Sequence, residues 1–83
     1  MNDHIATRTR TIIANALDAT PDQLTDDTHL FNDLNADSLD AVEIAMDIEE
    51  AFGIEITDAK AETMQTVGKT IAVIRDALGE AAT

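Results

Sequence analysis

The sequence predicts an all-α fold: a small four-helix bundle with a long loop between helices 1 and 2 and a short third helix. Apolar residues recur three and four positions apart in four separate segments. The one stretch that resembles a strand, residues 54–56, has no plausible pairing partner. Because 83 residues suffice for one domain and not for two, we expect residues 1–83 to share a single hydrophobic core.

The first helix is predicted from about Asp3 to Leu17, with Asn2 or Asp3 as its cap. Its apolar face contains Ile5, Thr9, Ile12, Ile13, Ala16 and Leu17. Pro21 ends the helical pattern, and residues 19–36 then form a connection rich in Asp, Asn and Thr. Such a long loop is rare in a compact domain unless it is functional or held in place. The residues expected to hold it are Leu24, Leu30, Phe31 and Leu34.

The second helix is predicted from Ser38 to Phe52, with Asp37 as its N-cap and Gly53 as the left-handed residue after it. At 100° per residue, one face collects Ala41, Ile44, Ala45, Ile48 and Phe52, which we expect to face the core. Nearly opposite lies a second apolar stripe: Leu39, Val42 and Met46. Acids rim this stripe, as on many protein-binding surfaces. Isolated exposed aliphatic residues are, however, also ordinary on protein surfaces.

Two further helices complete the predicted bundle. A short one lies between Thr57 or Asp58 and Met64. The last runs from Val67 to about Leu78 and is capped by Thr66. Its buried stripe is predicted to contain Val67, Ile71, Ile74 and Leu78.

Composition excludes several classes of function. The chain has 17 acidic residues against 5 Lys and Arg, a formal net charge of −12. Such a surface repels nucleic acid and anionic membranes and attracts proteins with basic patches. The absence of cysteine rules out disulfides, thiolate metal sites and a cysteine nucleophile. We expect no signal peptide and no membrane span, and therefore a cytoplasmic location.

Ser38 stands where the second helix begins, at the positive end of the helix dipole. A phosphate attached there would be favoured, although capping is the more ordinary role of a polar residue at this position. A catalytic serine would need a base and an oxyanion hole. The chain offers only His4 and His29, both expected to be solvated, and contains no G-x-S-x-G turn. We therefore expect no catalytic residue.

A calcium loop is the other possibility in this region, because Asp33, Asn35 and Asp37 alternate along the chain. Ser38 stands where such a loop requires Gly, and Ile44 stands where it requires the bidentate Glu. We therefore expect no specific metal site.

The stretch DLNADSLDAVEIAMDIEEAFGIEI resembles the D-L-G-x-D-S-L signature and recognition helix of acyl carrier proteins. The similarity continues to TVGKTIAVI in the last helix and so covers nearly the whole chain, which is identified as a single acyl carrier domain. Asn35 replaces the usual Gly, and Asn tolerates a left-handed conformation. The resemblance implies a non-catalytic carrier in which Ser38 receives 4′-phosphopantetheine from coenzyme A. Acyl groups would then travel as thioesters on the thiol of that arm.

The same resemblance implies partners with basic patches: a phosphopantetheinyl transferase (holo-acyl-carrier-protein synthase), acyltransferases, ketosynthases, reductases and dehydratases. The residues it assigns to partner recognition are Asp37, Leu39, Asp40, Val42, Glu43, Met46, Asp47, Glu49 and Glu50. The residues it assigns to an acyl pocket between the helices are Ala41, Ala45, Ile56, Ala61, Met64 and Ile71. We expect a monomeric carrier.

Fatty acid synthesis is the pathway favoured by the acidic second helix. A dedicated carrier for a polyketide or another specialised acyl product is an alternative within the family. Lys60 and Lys69 add positive charge to the third and fourth helices, which are therefore expected to meet partners differently from those of the most acidic members. From a different class, an acidic helical module without the arm could bind a basic protein through the same helix. A calcium sensor is a third alternative.

Overall fold

The computed structural model describes residues 4–79, which form a small bundle of four α-helices. The helices are α1 (His4–Leu17), α2 (Ser38–Phe52), α3 (Asp58–Glu62) and α4 (Val67–Ala77), with a 3₁₀ turn at Pro21–Gln23 in the long loop. No strand forms within the described range, where His29 and Thr66 make an isolated antiparallel bridge. The predicted fold class is therefore confirmed. The proposed caps of the first helix, Asn2 and Asp3, lie outside the described residues.

The core lies where α1 packs against α2 and α4, while the short α3 packs against α2. Its fully buried side chains include Ile13, Ile44, Ile48, Val67 and Ile74. Two threonines are buried among them, and each hydroxyl donates to a carbonyl one turn back in the chain. Thr9 bonds to Ile5 at 2.6 Å, and Thr70 bonds to Thr66 at 2.9 Å. The buried polar groups therefore carry no unpaired donor.

The buried faces of α1 and α4 differ in detail from those predicted. Leu78 is exposed rather than buried, because α4 ends at Ala77 and the chain then turns through Gly79 at φ 80°. Thr70 and Val73 are buried in its place. Of the predicted face of α1, Ile12, Ala16 and Leu17 are only half-buried, whereas Ala6 and Ala14, which were not assigned to it, are buried. The buried face of α1 extends to these small residues because this helix packs against α2, α4 and the 3₁₀ turn at Pro21–Gln23.

The long loop is held to the start of α4 as well as to the core. Of its four predicted anchors, Leu24 and Leu30 are buried, and Phe31 and Leu34 are half-buried against the core. The carbonyls of Thr28 and Asp26 accept hydrogen bonds from the N–H groups of Val67, at 3.0 Å, and Gly68, at 2.9 Å.

Gly68 permits this close approach of the loop. A Cβ at that position would lie 3.0 Å from the carbonyl oxygen of Asp26. The loop is therefore a fixed part of the domain.

Candidate functional site

Ser38 is the first residue of α2, and its side chain is exposed. The residues on either side of it form a reciprocal capping box. Asp37 Oδ1 accepts from the Asp40 N–H at 2.9 Å, and Asp40 Oδ2 accepts from the Asp37 N–H at 3.1 Å. The two carboxylates satisfy donors that a helix start leaves unpaired. The turn that presents the Ser38 hydroxyl is therefore fixed by its neighbours.

The chain enters this turn through a left-handed residue. Asn35 has φ 60°, so Asn adopts the conformation for which Gly is usual. Its N–H donates to the Phe31 carbonyl at 3.1 Å, and the Ala36 N–H donates to the Leu30 carbonyl at 2.9 Å. Ala36 is buried, so the residue that precedes the capping box is anchored in the core.

The second apolar stripe of α2 faces solvent. Leu39 is 72% exposed, Val42 55% and Met46 59%. These three residues, called the outer stripe below, follow Ser38 along one side of the helix. In the described part of the chain they are the most exposed large apolar side chains.

The acids around the outer stripe are not neutralised by nearby cations. The two ion pairs among residues 4–79 are Arg10–Asp26 and Lys60–Asp76, and neither involves α2. The helix contains Asp40, Glu43, Asp47, Glu49 and Glu50 and no basic residue. The carboxylates of α2 therefore form no ion pair within the described residues.

Two of these acids also form hydrogen bonds within the domain. Asp40 is half-buried in the capping box described above. Glu49 is also half-buried, and its Oε2 accepts from the Ile56 N–H at 2.7 Å. Glu49 thereby ties α2 to the segment that leads into α3. Glu43, Asp47 and Glu50 are exposed and leave their charge facing solvent.

A groove of about 760 Å³, open to solvent, runs between α2 and α3 and reaches Ser38. The side chains that line it are Phe31, Ser38, Ala41, Val42, Ala45, Met46, Glu49, Ile56, Asp58, Ala61, Glu62 and Gln65. Four residues predicted for an acyl pocket are in this list: Ala41, Ala45, Ile56 and Ala61. Met64 and Ile71 do not line the groove, because both are buried in the core, at 5% and 7% exposure.

The His29 ring binds the backbone of the long loop rather than Ser38. The prediction that His29 is solvated is wrong. His29 is half-buried, and its Nδ1 accepts from two backbone N–H groups in the loop.

Across residues 4–79, no group of three or more His, Cys, Asp or Glu side chains could hold a metal ion. In the same range, no helix has the length and apolar character needed to cross a membrane.

The residues around Ser38 fit a covalently attached phosphate ester. The hydroxyl is exposed at the start of a 15-residue helix, where the dipole favours a phosphate. No bulky side chain closes the position, and the groove between α2 and α3 begins there. The site can thus accept a long substituent that leaves toward solvent or along the groove.

The comparisons with known proteins agree with this geometry. A family model described as a phosphopantetheine attachment site matches residues 7–79. An acyl carrier protein of Phenylobacterium zucineum (strain HLK1) is 47% identical over 72 residues, which cover 87% of this chain and 91% of that protein. A solved structure of the acyl carrier protein from Enterococcus faecalis matches with a TM-score of 0.78 and 36% identity, covering 90% of this chain and 95% of that one. The chain therefore belongs to the acyl carrier protein family, whose prosthetic group is 4′-phosphopantetheine.

Proposed function

We propose that the Ser38 hydroxyl carries the 4′-phosphopantetheine group and that this chain transports acyl intermediates of fatty acid synthesis. The observation that carries the proposal is the exposed Ser38 at the start of α2, beside a groove and the outer stripe. When bound, the group supplies a flexible arm that ends in a thiol, on which acyl groups form thioesters. The chain itself then needs no cysteine.

The residues next to Ser38 orient the attachment point. The capping box of Asp37 and Asp40 fixes the first turn of α2 through two hydrogen bonds. Backbone N–H groups of that turn and the dipole of α2 favour the phosphate. Ser38 is modified by another enzyme in this scheme, because the described residues give it no general base. We therefore propose that the domain is a carrier and not a catalyst.

The groove between α2 and α3 is proposed to shelter an acyl chain. Ala41 and Ala45 are small, so α2 leaves open volume where larger side chains would close it. Ile56 and Ala61 supply apolar wall on the opposite side. Glu49 sits in the same lining and makes one part of the groove polar.

The outer stripe and its acids are proposed to receive the partner enzymes. Apolar contact at Leu39, Val42 and Met46 supplies affinity, and the acids steer basic surfaces toward Ser38 and fix their register. The full set proposed for recognition is Asp37, Leu39, Asp40, Val42, Glu43, Met46, Asp47, Glu49 and Glu50. The partners are the phosphopantetheinyl transferase and the enzymes of chain elongation. We propose a single monomeric domain over residues 1–83 that works in the cytoplasm.

The first test is intact-protein mass after incubation with coenzyme A and a promiscuous phosphopantetheinyl transferase. We expect the mass of one phosphopantetheine to be added to the natural chain and none to Ser38→Ala. Helical content measured by circular dichroism should be equal in the two proteins, because Ser38 makes no buried contact. Addition to Ser38→Ala would place the arm elsewhere. No addition to the folded natural chain would reduce Ser38 to a helix-start residue.

The pathway is tested with the loaded protein. Malonyl transfer and elongation by the dissociated fatty acid synthesis enzymes should proceed on it. Loading without elongation by those enzymes would indicate a carrier for a specialised acyl product.

A further inference from the structure

His29 caps the last turn of the loop with its imidazole ring. Nδ1 accepts from the N–H of Phe31 at 3.3 Å and from the N–H of Asn32 at 3.1 Å. The His29 N–H donates to Asp33 Oδ2 at 2.8 Å, and its carbonyl accepts from the Asp33 N–H at 2.9 Å. The ring thus occupies the place that a Ser, Thr, Asn or Asp side chain usually takes at a helix start.

This turn supports both Ser38 and the groove beside it. The ring of Phe31 stands edge-on to the ring of His29, with the centroids 6.0 Å apart, and Phe31 lines the groove that Ser38 borders. The Leu30 carbonyl at the base of the turn holds the N–H of Ala36, two residues before Ser38. The position of Ser38 therefore depends on a turn whose cap is a histidine.

A histidine cap differs from a hydroxyl or amide cap in that protonation abolishes it. Only neutral imidazole has a nitrogen that accepts, because both ring nitrogens carry hydrogen in the imidazolium ion. Histidine is the side chain whose charge ordinarily changes between about pH 5 and pH 8.

The charged group in contact with His29 is the Asp33 carboxylate on the same turn, which binds the His29 backbone N–H rather than the ring. The segment paired with His29 contributes Gln65 and Thr66, which do not titrate. Among the described contacts, no carboxylate is therefore bonded to the His29 ring. A charged ring would have no such bond to keep it in its place.

We propose that His29 is a positioning residue for the modification of Ser38 and that its protonation releases the turn that leads into α2. The inference rests on the proposed attachment at Ser38. It predicts that the loop holds Ser38 firmly when the ring is neutral and loosely when it is charged.

The first experiment follows the cap directly by NMR, without any partner enzyme. The natural chain and His29→Asn are titrated from about pH 8 to about pH 5.5, the range in which histidine changes charge. Asn keeps an accepting side chain at every pH in this range. In the natural chain, the amide protons of Phe31 and Asn32 should shift with the same midpoint as the His29 ring protons. Their protection from exchange, corrected for intrinsic rates, should fall roughly fivefold, as expected for loss of one cap.

The matched variant keeps His4 and all the carboxylates, so general acidification affects both proteins equally. The same two amides should not titrate in His29→Asn. If the amide protons of Phe31 and Asn32 in the natural chain do not shift with the midpoint of the His29 ring protons, the proposed cap is overturned.

The second experiment compares initial rates of phosphopantetheine transfer to the two proteins by one transferase across the same pH range. The ratio of natural to His29→Asn rates cancels the pH dependence of the enzyme. It should be close to one on the alkaline side of the His29 midpoint seen by NMR and should fall severalfold on the acidic side. A constant ratio would overturn the positioning role. If neither folded protein is modified at the higher pH, the attachment at Ser38 fails and the positioning role fails with it, whereas the NMR titration still decides the cap.

Discussion

The two apolar faces of α2 are built from similar side chains in opposite surroundings. Ile44 and Ile48 are fully buried in the core, whereas Val42 and Met46 are 55% and 59% exposed. Burial of aliphatic surface stabilises a fold by about 25 cal/mol per Å². The inner face therefore stabilises the domain, and the outer stripe contributes little to its stability. Hydrophobicity at one position does not tell which role a residue has; its angular position relative to the other helices does.

The charges of the helix are divided in a similar way. Asp40 and Glu49 are half-buried and accept hydrogen bonds from backbone N–H groups. Glu43 and Glu50 are exposed beside the outer stripe, and Asp47 is exposed farther round the helix. Asp40 and Glu49 help to shape the site, whereas the exposed acids give it negative surface charge.

The largest effect is expected in the core. Ile48→Ala should lower the free energy of unfolding by about 2–5 kcal/mol, because it removes a fully buried side chain and leaves a cavity. Urea unfolding followed by circular dichroism measures the loss. Ile48→Val, with an expected loss of about 0.5–1.5 kcal/mol, keeps the prediction measurable if the alanine variant fails to fold.

Met46→Ala, two residues away on the outer stripe, is the matched control. Its free energy of unfolding should stay within about 0.5 kcal/mol of the natural value. Equal losses at Met46 and Ile48 would mean that the outer stripe is packed in solution, for example against a second copy.

Next in size is the effect of the outer stripe on partner enzymes. Val42→Ser combined with Met46→Ser should raise KM for the phosphopantetheinyl transferase roughly tenfold, as expected when central apolar contacts of an interface are lost. The melting temperature should be nearly unchanged. Transfer kinetics over a range of carrier concentrations measure KM. An unchanged KM would show that the stripe is ordinary exposed surface for this partner.

A smaller effect is expected at the N-terminal end of α2. Asp37→Ala should lower the free energy of unfolding by about 1 kcal/mol, because it removes the N-cap of α2, whereas Asp37→Asn should cost only a few tenths. Thermal unfolding of both variants measures the difference. Equal losses would indicate that the charge of Asp37, rather than its hydrogen bond, stabilises the helix.

The sequence predicted the fold well because α2, α3 and α4 carry their own boundary signals. Asp37 and Gly53 enclose α2 at the predicted ends, and Thr66 caps α4 through the Lys69 N–H. These signals are local, so they can be found without knowing the packing. Leu78 was misplaced because apolar periodicity continues one residue beyond the helix, and only the turn at Gly79 shows where the stripe stops.

The details of the candidate site were harder to predict from the sequence, because they depend on contacts between segments that are distant in the chain. Met64 and Ile71 belong to the core rather than the groove, which depends on the packing of α3. The bond from Ile56 to Glu49 links residues seven positions apart, across a helix end. His29 gave no recognisable signal, because a capping box has its acid three positions after the cap and Asp33 stands four positions after His29. Histidine is simply uncommon among caps.

The smallest effect concerns the exposed acids of α2. Glu43 and Asp47 are four positions apart on α2, and Glu50 lies three beyond Asp47, so neighbouring like charges destabilise the helix. Screening should relieve this repulsion. Raising NaCl from about 0.01 M to about 0.5 M should therefore raise the melting temperature, by about 3 °C if roughly 0.5 kcal/mol of repulsion is removed.

The variant that tests the source of this effect replaces all three acids with their amides: Glu43→Gln, Asp47→Asn and Glu50→Gln. Its melting temperature at low salt should exceed that of the natural chain, and its response to salt should be smaller. The core face is untouched, so both proteins should reach similar melting temperatures at high salt. If the variant keeps the full response, the repulsion originates outside α2, and the acids of this helix are retained for the field they present to partners at no measurable cost in stability.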